Sequence, residues 1–156
     1  MKEDPKFNNP KEGITASRTS IPTGEVVTFG EKGEFSIGVR KQTEETYCGQ
    51  ACLEMLGYSL DGVKIDEEKG VSIANLMFGF GAEDVDWQEE GFKFDVPHMV
   101  AGHKIKTGWN HWYLRVGNTV INPEDGKVEE ADVYEQREIG EIKAVMKVPL
   151  NLTPQS

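Results

Sequence analysis

The chain reads as an α+β domain, a short helix packed on a small antiparallel sheet, and three features of its 156 residues carry that prediction. Cys48, Ala51, Cys52, Met55 and Leu56 recur at helical spacing and make one apolar stripe. The segment HWYLRVGNTVIN has strand-forming halves either side of Gly117 and Asn118, a pair suited to the positive φ of a primed hairpin turn. Short strand-like stretches precede the helix and follow the hairpin.

Residues 1–22, MKEDPKFNNPKEGITASRTSIP, hold little to bury and are expected to form a loose tail or linker. Residues 23–152 are expected to form one domain, since two independent cores would be unusually small in this length. EVVTF and EFSIGV, separated by GEKG, predict two strands joined by a Gly-containing loop. The helix is expected to start at a Thr46 cap and to stop at Gly57, with Glu44 and Glu45 favoured near the positive end of its dipole. DGVKIDEEKG reads as an exposed acidic loop. SIANLMFGFG reads as a short helix with Ile73, Leu76, Met77 and Phe80 on its apolar face. Residues 81–95 read as irregular and acidic, and EIKAVMKVPL as a late strand stopped by Pro149.

Formal charge is −10, from 27 acidic and 17 basic residues spread along the chain. Nucleic-acid binding draws on Lys and Arg displacing condensed counterions, so this balance disfavours DNA or RNA partners. No apolar run approaches the roughly 20 residues of a membrane helix. The first residues lack the basic end and apolar stretch of a secretory signal, so the expected location is the cytoplasm, or delivery by a specialised secretion system as part of a larger protein. The two cysteines, four residues apart, are poorly placed for a disulfide framework and read as reduced thiols. His98 and His103 match no closed zinc spacing, so no metal and no cofactor is expected.

Three residues suggest a chemistry. Cys48 falls in the first turn of the helix, where the dipole favours the thiolate that acts as nucleophile. Placing Gly117 and Asn118 at the hairpin loop pairs Val116 with Thr119, Leu114 with Ile121 and Tyr113 with Asn122. His111 and Asn122 then face the same side as diagonal neighbours, near enough for the amide to hold the ring in one tautomer. Each has a simpler reading when taken alone: a packed thiol, a structural histidine, a turn former before proline. Their joint placement favours chemistry. Asp125 is a rival to Asn122 for orienting the ring. Cys52 reads as core, and Trp109, Trp112 and Tyr113 read first as core packing and second as an aromatic wall over a cleft.

Gln42, then Cys48–Gly49 at a helix start, then His111–Trp112 on a strand and Asn122–Pro123 ending the next together resemble the papain-like cysteine protease superfamily. The likeness is to its compact bacterial branches, the bacteriocin-leader peptidases and papain-fold toxin or effector domains, and covers residues 42–57 and 109–126. It implies a papain-like fold with Cys48 as nucleophile, His111 as general base, Asn122 as orienting residue, and Gln42 with the Cys48 backbone N–H as oxyanion donors. It further implies thiol-dependent hydrolysis of an amide in a protein or peptide, as a peptidase or a glutamine deamidase or transglutaminase, with an immunity or inhibitor protein as a further partner. The rival expectations are an inactive papain-fold binding module with Cys48 in the core, and a papain-fold toxin acting on RNA.

Overall fold

The computed structural model describes residues 19–61, 63, 65–66 and 68–152. Most of the expected N-terminal tail therefore lies outside the described residues. The expected boundary at residue 22 is too late, because β1 (Ser20–Phe29) already includes Ser20, Ile21 and Pro22, paired with Gln42, Lys41 and Arg40 of β2 (Phe35–Gln42). These two antiparallel strands form a ribbon, longer at both far ends than their apolar stretches suggested. Polar partners do the extending: Thr19 and Ser20 are buried and both hydroxyls donate to Glu54.

Helix α1 (Cys48–Met55) follows, and buries Cys48, Ala51, Cys52 and Met55 as its stripe requires. Thr46 is not its cap. The N-cap is Tyr47, which makes no side-chain capping bond. The end is as expected: Gly57 has φ +100°, and the Tyr58 and Gly57 N–H groups donate back to the Leu53 and Glu54 carbonyls, a Schellman closure. A side chain there would also strike the Asn151 carbonyl oxygen at 2.3 Å.

The second expected helix forms, but with π rather than α geometry and without the expected apolar face. Asn75–Gly79 is a π-helical turn, and of Ile73, Leu76, Met77 and Phe80 only Leu76 is fully buried. Widening the turn to i→i+5 rotates the i, i+3, i+4 positions off a common face, and leaves Phe78 89% exposed. Ser72 and Asn75 open the segment by reciprocal side-chain to backbone hydrogen bonds.

The remaining strands build a six-stranded antiparallel sheet ordered β3-β8-β4-β5-β6-β7. They are β3 (Glu83–Asp84), β4 (His98–Lys104), β5 (Asn110–Val116), β6 (Thr119–Asn122), β7 (Lys127–Glu130) and β8 (Ile139–Lys147). A second helix, α2 (Ala131–Glu138), connects the last two. Alternate residues feed two cores. Met99, Ala101, Trp112, Leu114, Ile121, Ala144 and Met146 face α1 and the β1–β2 ribbon. Val100, Tyr113, Val120 and Val145 face Tyr134 of α2 and an aromatic loop holding Trp87, Phe92 and Phe94. A sheet covered on both sides gives runs of buried residues rather than polar alternation. Among the described residues no helix is long and apolar enough to cross a membrane.

Candidate active site

The expected hairpin forms in the expected register, with Val116↔Thr119 and Leu114↔Ile121, and Gly117 at φ +56° in the turn. Extending that register by one more pair of the same kind sets Trp112 opposite Pro123, which has no N–H. The ladder stops there. Two consequences position the site. The Trp112 N–H turns to Cys48 Sγ at 3.4 Å, and the Pro123 carbonyl accepts the Gln42 backbone N–H at 2.8 Å. The end of the ladder thus holds both the nucleophile candidate and the strand that leads to it.

His111 and Asn122 are both buried and meet at 2.8 Å through Nε2 and Oδ1. The same Oδ1 accepts the Glu124 N–H at 3.1 Å. A backbone N–H can only donate, so the atom it meets is the amide oxygen, and His111 must donate from Nε2. The neutral ring therefore carries its lone pair on Nδ1, the nitrogen left to act as a base. Asp125 does not compete: its carboxylate accepts the Lys127 N–H in the turn that follows. Behind the ring, Tyr113 stacks at 6.5 Å between centroids, and its hydroxyl donates to Glu135.

Cys48 and His111 line one cavity of about 370 Å³, walled also by Val71, Ile73, Trp109 and Lys143. Sγ is bonded to the amide of the residue after His111, so it lies at most about 4.7 Å from the His111 carbonyl carbon. Among the described residues no hydrogen bond joins Sγ to the imidazole. Cys48 is 8% exposed, and Cys52 is fully buried in the core; both are free thiols.

Burial corrects the electrostatics expected of a helix start. Backbone N–H groups of Trp112, Gly49 and Cys48 do favour the thiolate, but desolvation outweighs them and pushes the Cys48 thiol above its ordinary value. Desolvation likewise holds His111 below the usual imidazole value, against the opposing effect of the hydrogen bond it donates to Asn122. Both shifts favour the uncharged forms, a neutral thiol and a neutral imidazole. Glu124 opposes thiolate formation and favours the imidazolium, and it is tied to Lys104 by a salt bridge.

Gln42 is not brought into this cavity. Its Nε2 donates to the Glu44 and Glu45 carbonyls at 3.0 and 3.2 Å, and its Oε1 is buried without a hydrogen-bond partner. The aromatic trio divides. Trp112 and Tyr113 are buried in opposite cores, while Trp109, 57% exposed, stands at the cavity wall rather than in the core. Trp112 also donates through Nε1 to the Val71 carbonyl, pinning the loop that forms the facing wall. His98 is packed edge-on between Phe92 and Phe94 and donates from Nδ1 to the Val96 carbonyl. Among the described residues no group of three His, Cys, Asp or Glu is placed to hold a metal ion.

Sequence reasoning passed over Gln50, which is fully buried in α1 with neither amide atom hydrogen-bonded. It passed over Lys104 and Glu124 as well. Neither stands in a motif, and their pairing across 20 residues leaves no local signal. Set against models of protein families, curated proteins and solved structures, the chain matches none.

Proposed function

We propose that this protein is a cysteine-dependent amide hydrolase of papain-like arrangement, with Cys48 as nucleophile, His111 as general base and Asn122 as the residue that orients it. The observation that carries this reading is the Glu124–Asn122–His111 relay, which leaves Nδ1 as the unprotonated nitrogen of a histidine that lines the same cavity as Cys48.

The neutral pair defines the order of events. As Sγ attacks the amide carbon, its proton passes to His111 Nδ1, and the carbonyl oxygen gains the electron pair of the broken π bond. The Cys48 and Gly49 N–H groups at the start of α1, which have no intrahelical acceptor, would supply donors to that developing charge. Collapse breaks the C–N bond and the imidazolium returns its proton to the leaving nitrogen. The resulting thioester at Cys48 is then cleaved by water, deprotonated by the same Nδ1. A peptide bond and a glutamine side chain both fit this sequence, the second releasing ammonia.

Mass spectrometry of a cell lysate incubated with wild type or Cys48→Ala tests the proposal. Peptide cuts, conversion of glutamine to glutamate, or cross-links found only with wild type support it and name its branch. Identical spectra from the two proteins overturn it for that proteome. A second reading, a binding module with Cys48 as packing, draws on the low exposure of the thiol and the lack of a bond from Sγ to the ring. It predicts that Cys48→Ala leaves every property but stability unchanged.

A further inference from the structure

We propose that Gln42 is a positioning residue for the nucleophile and that its side chain acts by holding the turn that enters α1, not by donating to an oxyanion. The inference rests on the reading of Cys48 as nucleophile. Three contacts carry it. Both donors of the Gln42 amide are occupied, one by the Glu44 carbonyl and one by the Glu45 carbonyl. The Glu44 carbonyl also accepts the Tyr47 N–H at 3.1 Å, so one oxygen closes the turn and anchors it to Gln42. The Gln42 backbone N–H is fixed to Pro123, directly after the residue that orients His111. A single residue therefore ties the histidine side of the site to the lead-in of the cysteine side.

Geometry separates this from a direct catalytic role. The cavity is walled by Glu45, Thr46 and Cys48 but not by Gln42, and the free Oε1 is an acceptor, which cannot stabilise negative charge. The turn residues reach the chemistry through Cys48 itself. The N–H groups of Cys48 and Gly49 that favour the thiolate follow the clamped carbonyls by three to five residues, and their aim depends on where the turn is held.

The test uses iodoacetamide, whose displacement of iodide by sulfur forms no oxyanion. Gln42→Met keeps the length of the side chain without its donors, and Gln42→Ala guards against a packing fault peculiar to Met. Alkylation of Cys48 is followed by peptide mapping at neutral pH, beside hydrogen exchange of the 43–48 segment and thermal melting. A clamp predicts alkylation slowed about three- to tenfold in both variants, since each unit of thiol pKa is tenfold in thiolate. It also predicts that Tyr47 N–H exchange is accelerated by at least about tenfold. Alkylation unchanged or faster, with exchange unchanged, overturns the proposal, and a loss of amide hydrolysis alone would restore Gln42 as an oxyanion donor. If one variant fails to fold, the exchange pattern of the other decides. Should Cys48 of wild type prove inert while the exchange effect appears, the hydrolase reading has failed and the clamp has not.

Discussion

Replacing Asn122 by Ala is the sharpest structural perturbation of this site. The side chain serves two donors through one oxygen, the buried His111 Nε2–H at 2.8 Å and the Glu124 N–H at 3.1 Å. Removing it leaves the imidazole donor buried and unpaired, worth about 1–3 kcal/mol. The Glu124 amide belongs to a partly exposed turn that water can reach, and adds about 0.5–1 kcal/mol. The sum, about 2–4 kcal/mol, corresponds in a chain of this size to a fall in melting temperature on the order of 5–15 °C. Asn122→Asp is the control: it keeps an acceptor for both donors, so it should cost less at neutral pH while raising the His111 pKa by adding a negative charge beside the ring. Denaturant unfolding gives the stabilities, and nitrogen-15 spectra of the imidazole give the tautomer. Wild type should show the proton on Nε2, and Asn122→Ala should lose that preference. A cost below about 0.5 kcal/mol, or a wild-type ring protonated on Nδ1, would refute the reasoning.

Four further outcomes follow from other contacts. Gly49→Ala would set a methyl 2.6 Å from Val71 Cβ and 3.1 Å from Trp112 Cδ1, so it should cost about 1–3 kcal/mol by overpacking, and adding Val71→Ala should recover part of that in a double-mutant cycle. Gln50→Met should raise the melting temperature, because it removes a buried amide with no hydrogen bond; a fall would mean that the amide has a partner in solution. His98 and His111 both have folded pKa values below the ordinary imidazole value, mainly through burial, so the unfolded chain binds their protons first. Between about pH 6.5 and 8 these histidines should leave stability flat, and it should fall as pH drops below about 6.5, with His98→Gln and His111→Gln each removing part of that slope. Finally, the raised Cys48 pKa predicts that alkylation of Cys48 by iodoacetamide quickens steadily from pH 7 to beyond pH 9; a plateau at acidic pH would indicate a preformed thiolate–imidazolium pair.

The sequence carried the hairpin and the Cys48 helix further than it carried the rest of the fold. A two-residue turn at Gly117–Asn118 fixes a hairpin register by itself, and that register alone sets His111 beside Asn122. The helical stripe likewise announced α1, because 3.6-residue spacing is a local property. β4 was missed since it is central and buried on both faces, so HMVAGHK offers no alternation to read. α2 was missed since it buries only Ala131 and Tyr134. The π-helical turn defeated a periodicity argument that assumed α geometry. Gln42 shows a different limit: its spacing to Cys48 was legible, but whether its amide faced a cavity or its own turn was decided by contacts with Glu44, Glu45 and Pro123 that no spacing encodes.

Whether Cys48 and His111 act together is tested most directly by acylation with p-nitrophenyl acetate, which needs no knowledge of the natural substrate. Wild type should gain one acetyl group on Cys48 at neutral pH, and His111→Ala should acylate more slowly by about 10²- to 10⁴-fold, the usual worth of a positioned base. An acetyl group found elsewhere, or equal rates at Cys48 with and without the imidazole, would contradict the account.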